Sequence, residues 1–497
     1  MRSYNSFCER ECWSLGLRPA LSQMRILPTG VLLGLFCCVN SVRAAEPWFE
    51  ALKNSATPEQ LYRFLYAMPK GGDLHNHLPG SVRSEWFWDA AMAQEARGYS
   101  YYTRVSIQNC APYGHDEFGS GKALLLFKTI QGSSFETLNN CAKTEFKKIQ
   151  NLSPVEKDAW LNSMRLDQPY EGRNEFFDAI WDRINDMLRN PYLISDILLR
   201  NMQAFGSEGV VYLETQQGVE DAVKADGSPY TIDETADIFR HLLGSPQAKA
   251  TGVAVRFQNA LLRFTPSAEQ ELRELYAITD RYRDLYVGVN MVGREDNEKG
   301  YPLRFLPVLR ELRHKYPDIN LSIHAGENDE PNFHIRDTLL LGAQRIGHGV
   351  NLISDPETML RMRNGPYLVE INLISNLLLE YVSNYSQHPF PEYLRVGIPV
   401  ALSTDDRGMW DSNMSDEFFV AVKEFNLSWE EIVKLSRNSL QYSFLDEATK
   451  QRLLAEYDRR INAFALEFKR KGWSSLERTK PVSYGFLCRH YQVCLQP

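Results

Sequence analysis

Eight short apolar runs rich in β-branched residues recur along the chain, most of them followed by a stretch with helical spacing. They are 71–77, 209–214, 254–259, 286–293, 320–324, 344–348, 367–372 and 400–405. Strands that alternate with helices pair in parallel, because a parallel crossover needs a dozen or more residues. Eight such units predict an α/β chain closed into a (β/α)8 barrel of TIM type. Between them the spacing predicts helices such as 267–282 and 303–316, where Leu303, Leu306, Leu309 and Leu312 recur every third residue. A lead-in at 47–68 carries the helix start Thr57-Pro58-Glu59-Gln60, and C-terminal helices are expected at 416–424, 429–441 and 446–471.

The segment 84–190, between the first and second strands, is far longer than an ordinary βα connection. Its spacing predicts helices at 84–93, 117–130 and 134–150 and one starting at 174 and running to 203, so a helical cap over one barrel end is expected. The folded region is read as 46–475, with 476–497 as a tail.

The 497 residues carry a net charge of −8 and no long Lys/Arg run, which excludes the basic face of a nucleic-acid binder and leaves a small molecule as the expected partner. The apolar run Ile26–Val39 follows Met24-Arg25 and precedes Ser41-Val42-Arg43-Ala44-Ala45. That is the pattern of a cleavable signal peptide at 24–45, with 1–23 as an upstream extension, and it is too short for a comfortable membrane span. A lipoprotein reading through Cys37 is weaker, since the bulky Phe36 precedes it. Export to a secreted or periplasmic location is expected, with no membrane span in the mature chain. Of the 8 cysteines, Cys110, Cys141, Cys488 and Cys494 lie beyond this leader. Three pairings are open to them, and proximity in sequence favours Cys110–Cys141 and Cys488–Cys494.

The chemistry gathers where a barrel enzyme places it, at the C-terminal ends of strands. The first strand ends in His75 and His77, the fifth in His324-Ala325-Gly326-Glu327, the sixth in His348 and the eighth in Asp405-Asp406. Residues at i and i+2 of a strand share a face, so His75 and His77 can hold one cation together. Three neutral imidazoles and a carboxylate suit Zn²⁺ with an open position, which assigns His75, His77, His324 and Asp405 as ligands of one ion per chain. Glu327, His348 and Asp406 remain for proton work: Glu327 to protonate a ring nitrogen, His348 to orient or activate a hydroxide. His115, His241, His314, His334, His388 and His490 are read as structural or surface residues.

These motifs resemble the adenosine deaminase family of metal-dependent amidohydrolases. The resemblance rests on Met68-Pro69-Lys70 through His77, Glu208-Gly209-Val210-Val211-Tyr212, His324-Ala325-Gly326-Glu327, Arg345-Ile346-Gly347-His348-Gly349, Ser375-Asn376 and Ser403-Thr404-Asp405-Asp406. It implies zinc-assisted hydrolytic deamination of adenosine or 2′-deoxyadenosine at C6, with release of ammonia. By position it gives Glu327 the protonation of purine N1, Asp406 a contact to N7 and the backbone N–H of Gly293 a contact to N3, with His77 also at the substrate. The cysteine pairs and leader resemble the secreted branch of that family.

Three positions depart from the family pattern. Pro79 replaces an aspartate that meets the 5′ side of the ribose, Asn290 replaces an acidic residue, and Arg407 stands where proline is common. The departures leave another modified 6-aminopurine open as substrate. Two further readings compete: a two-metal amidohydrolase, for which the fourth strand lacks a bridging lysine, and a secreted non-catalytic nucleoside-binding or signalling protein, which would be expected to have lost a ligand or Glu327. A cytidine-type deaminase is excluded by the lack of its H-x-E and P-C-x-x-C motifs. Oligomeric state is not readable from the sequence.

Overall fold

The computed structural model describes residues 46–110 and 124–495. The predicted leader and extension, His115 and residues 117–123 of a predicted helix lie outside them. The described residues belong to one compact unit.

Eleven strands occur among the described residues: β1 Gly72–His77, β2 Tyr101–Arg104, β3 Thr129–Gln131, β4 Phe146–Lys148, β5 Tyr212–Gln216, β6 Ala254–Leu262, β7 Tyr286–Val292, β8 Asn320–Ala325, β9 Arg345–His348, β10 Leu368–Ile371 and β11 Val400–Leu402. Eight of them form one parallel sheet in the order β1-β5-β6-β7-β8-β9-β10-β11. A parallel bridge between Asn76 and Asp405 joins its last strand to its first. There the Asp405 N–H donates to the His75 carbonyl at 2.9 Å, and the Thr404 hydroxyl donates to Asp73 Oδ2 at 2.6 Å. The expected (β/α)8 barrel is what forms.

Two of the recognised motifs meet beneath this seam. Helix Pro58–Ala67 begins in a capping box of Thr57 and Gln60. At its other end the buried Lys70 ammonium donates to the carbonyls of Leu65 and Glu208, each at 2.6 Å. The orphan carbonyls of the helix end thus receive a cation, which also ties Met68-Pro69-Lys70 to Glu208-Gly209.

The insertion differs from expectation. Helix Ser84–Ala93 forms, but 134–150 is not one helix: it breaks into Gly132–Glu136, Asn140–Lys143 and β4. Residues 124–130 are turn and strand rather than the end of a helix. β2, β3 and β4 make a separate antiparallel sheet in the order β3-β2-β4. Phe135, Ala142 and Phe146 have helical spacing, but tertiary partners override it. Phe135 stacks on Tyr102 of β2 at 3.9 Å, and the Cys110–Cys141 disulfide ties the second short helix to the chain that follows β2. The predicted helix from 174 is likewise divided, because Asn190 caps a new helix, Pro191–Ser207, by accepting from the N–H groups of Tyr192 and Leu193. The second disulfide is Cys488–Cys494, so both favoured pairings are present.

The insertion lies against the C-terminal end of the barrel. Arg173 pairs with Asp296 and Asp329 at 3.1 and 3.2 Å, Arg294 pairs with Asp178 at 3.2 Å, and Trp181 packs edge-on to His77. No helix among the described residues is long and apolar enough to cross a membrane.

Candidate active site

The groups that the sequence places at strand ends converge in space. Asp405 Oδ1 lies 3.3 Å from Nε2 of both His75 and His77, and His77 Nε2 lies 3.3 Å from His324 Nε2. A metal with bonds of about 2.1 Å in tetrahedral geometry separates neighbouring ligand atoms by about 3.4 Å, so these spacings match one small cation. His348 is close by: with His75, His324 and Asp405 it brings a fourth ligand atom within 4.8 Å of the others, and His77, Asp405 and Asp406 form an overlapping group.

Outer hydrogen bonds distinguish these imidazoles. His75 Nδ1 meets Glu370 Oε2 at 2.8 Å, a carboxylate that only accepts, so the hydrogen is on Nδ1 and Nε2 faces Asp405. Despite burial, the neighbouring carboxylates of Asp405 and Glu370 raise the His75 pKa to about 10, and a cation taking Nε2 displaces that proton.

For His324 the argument runs through the barrel interior. Gln258 donates its amide to Glu214 at 2.9 Å, which leaves Gln258 Oε1 to accept from Asn290 Nδ2 at 2.9 Å. Asn290 Oδ1 therefore accepts from His324 Nδ1 at 3.1 Å, which leaves the His324 Nε2 lone pair directed toward His77. Arg345 closes the circuit by bonding Glu214 at 2.6 Å and Glu370 at 2.7 Å. One buried polar network thus holds both rings. Asn290, which departs from the family pattern, is a working member of it.

His348 has the opposite tautomer. The Phe390 N–H donates to His388 Nδ1 at 3.1 Å, so the buried neutral His388 carries its hydrogen on Nε2 and donates to Asn376 Oδ1 at 3.0 Å. Asn376 then donates Nδ2–H to His348 Nδ1 at 3.1 Å. Neutral His348 therefore holds its hydrogen on Nε2, 3.7 Å from Glu327 Oε2. Burial pushes its pKa well below the usual imidazole value, against the opposing pull of Asp405.

The carboxyl groups divide as well. Against burial, the imidazoles of His75 and His77, each 3.3 Å away, hold the Asp405 carboxyl well below the usual carboxylate range, and Ser375 donates to its Oδ2 at 2.7 Å. Burial and then the Asp405 charge push Glu327 and Asp406 well above the carboxylate range. Glu327 is fixed by a turn whose N–H groups at Gly326 and Glu327 donate to Glu295 at 3.2 and 2.8 Å, while Tyr381 reaches Glu327 Oε1 at 3.4 Å. Both oxygens of Asp406 are buried without a hydrogen-bond partner among the described residues, as are His75 Nε2, His348 Nε2 and Glu327 Oε2. Such a cluster of unpaired buried groups is expected where a ligand completes the site.

Backbone strain collects here too. His348 and Asp405 sit at φ +64° and +53°, which non-glycine residues seldom adopt outside sites that use it. Two glycines are set by close approach. A Cβ on Gly80 would fall 1.5 Å from Asp406 Oδ1, and one on Gly347 would fall 2.6 Å from the His75 ring. Gly293, at φ +92°, ends β7 with its carbonyl held by Arg263.

Comparison with known proteins places the chain in a family. Residues 151–460 match the family model described as adenosine deaminase. The chain belongs to the adenosine deaminase family. It is therefore a hydrolase acting on a C–N bond of a cyclic amidine. It is 24% identical over 413 residues to adenosine deaminase 2 of Dictyostelium discoideum, covering 79% of this chain and 72% of that one. Among solved structures it resembles an adenine deaminase from Arthrobacter aurescens, with TM-score 0.58, 18% identity and coverage of 80% of this chain and 100% of that one. It also resembles an amidohydrolase from Burkholderia ambifaria with bound Zn, with TM-score 0.55, 17% identity and coverage of 84% and 96%.

Sequence reasoning missed the supporting residues of this family member: Glu214, Gln258, Glu295 and Glu370, and the link from His388, read as a structural or surface residue, through Asn376 to His348. A signal was present for most of them. Glu214, Gln258, Asn290 and Glu370 are polar interruptions within apolar strand runs, where only a paired group is tolerated.

Proposed function

We propose that this chain hydrolytically deaminates adenosine and 2′-deoxyadenosine to the 6-oxo nucleosides, with one zinc ion held by His75, His77, His324 and Asp405. The observation that carries the reading is that Asp405 Oδ1 lies 3.3 Å from both His75 and His77 and His77 lies 3.3 Å from His324, beside a Glu327 whose burial raises its pKa well above the carboxylate range. The tautomers support the choice of ligands: His75 and His324 turn Nε2 inward as donors to a metal, whereas His348 presents Nε2–H and is kept from that role. Zinc in such a site supplies Lewis acidity, lowering the pKa of a bound water to about 7.

The protein groups then divide the work. Glu327, neutral through burial, gives its proton to purine N1 as the amidine carbon is attacked. His348 donates Nε2–H to the attacking oxygen and orients it. Asp406 holds N7, which requires the proton that its raised pKa retains, and the Gly293 N–H holds N3. His77 faces both metal and substrate. The two disulfides and the apolar N-terminal run support export to a secreted or periplasmic location.

Zinc content and adenosine turnover, measured together on the protein and on Glu327→Gln, test this. The expected result is about one zinc per chain in both, turnover in the wild type and near-silence in the variant. A protein that binds no zinc overturns the ligand set. One that binds zinc and ignores both nucleosides overturns the substrate.

A further inference from the structure

Gln216, the last residue of β5, is 3% exposed, and neither its amide oxygen nor its amide nitrogen has a hydrogen-bond partner among the described residues. A buried amide with both ends unpaired is rare and asks for an explanation. Its direction follows from strand alternation. Glu214, two residues earlier, points into the barrel and meets Arg345 and Gln258, so Gln216 lies on the same inner face one layer higher. That layer is the site, since Gln216 pairs in register with His77 of β1.

Position around the rim says what the amide meets. In the reading above, N1 is held after β8 by Glu327, N3 after β7 by Gly293 and N7 after β11 by Asp406. Purine N9 lies between N3 and N7, on the side away from N1. In the strand order β11-β1-β5-β6-β7, its substituent leaves toward β1, β5 and β6, where Gln216 stands. A glutamine amide offers one acceptor and two donor hydrogens, which suits sugar hydroxyls, each able both to donate and to accept. The neighbouring turn offers no rival side-chain partner at Pro79, and Leu78 N–H is already spent on the Gln216 carbonyl at 3.1 Å.

We propose that Gln216 is a specificity-determining residue that hydrogen-bonds the hydroxyls of the N9 sugar, an inference that rests on the nucleoside reading. The test compares zinc-loaded wild type with Gln216→Leu on adenosine and on 9-ethyladenine, which keeps the base and lacks the hydroxyls. Inosine binding is followed by calorimetry alongside. Loss of two neutral hydrogen bonds is expected to lower kcat/KM for adenosine about 10- to 100-fold, mostly through KM, and to weaken inosine binding by a similar factor. Turnover of 9-ethyladenine is expected to change less than about threefold. Gln216→Met, of equal length, repeats the comparison if the leucine variant does not fold. Equal losses on both purines, or no loss on either, overturn the role of Gln216 while leaving the nucleoside reading intact. A zinc-loaded wild type silent on both purines overturns the two together.

Discussion

His388 is predicted to make the fold sensitive to mild acid. Its ring is buried, with Nδ1 accepting from Phe390 N–H and Nε2–H donating to Asn376, so no site remains for a second proton. Burial lowers its pKa from 6.5 to about 3. The unfolded chain therefore binds a proton between those values that the folded chain refuses. Stability is fully present above pH 6.5, falls as pH drops below it and stops falling near pH 3. By linkage the cost is about 2 kcal/mol at pH 5 and about 5 kcal/mol at the acid limit.

The assay is urea unfolding of wild type and His388→Gln at pH 7.5 and pH 5, after reversibility has been shown. At pH 7.5 the variant is expected to be less stable by about 1–2 kcal/mol, because it loses the acceptor for Phe390 N–H and some packing. Between the two pH values the wild type is expected to lose about 2 kcal/mol more than the variant, so the gap closes. All other titrating groups cancel in that difference. A gap that stays constant would show that His388 takes up its proton normally in the fold, and the tautomer chain to His348 would fail with it.

Other outcomes follow from the same contacts. Asn290→Leu removes the acceptor for His324 Nδ1, so zinc affinity, read by competition with a chromophoric chelator, is expected to drop about 10- to 100-fold. Gly80→Ala drives a methyl into Asp406 and is expected to cut kcat/KM at least tenfold while zinc content by atomic absorption stays unchanged. Activity is expected to fall on the alkaline side as Glu327 loses the proton it must donate, and the missing acid in Glu327→Gln is not restored by any pH, which a pH–rate profile checks.

Much of the barrel was legible because its signals are local. Strands buried on both faces read as apolar runs, and His75, His77, His324, His348 and Asp405 stand at their C-terminal ends whatever surrounds them. The insertion was less legible. Phe135, Ala142 and Phe146 have helical spacing, but their fate depended on Tyr102 and on a disulfide to Cys110, partners distant in sequence.

The residues that could form a site were thus determined by the sequence alone, since their types and their places on strands do not depend on what packs around them. Only the tertiary structure decided what each one does. Which nitrogen of His75, His324 or His348 carries hydrogen depends on Glu370, Asn290 and Asn376, groups brought from other strands and loops. The raised pKa of Glu327 depends on burial beside Asp405. Hydrogen-bond direction and desolvation are properties of the surroundings, and those exist only once the barrel has closed.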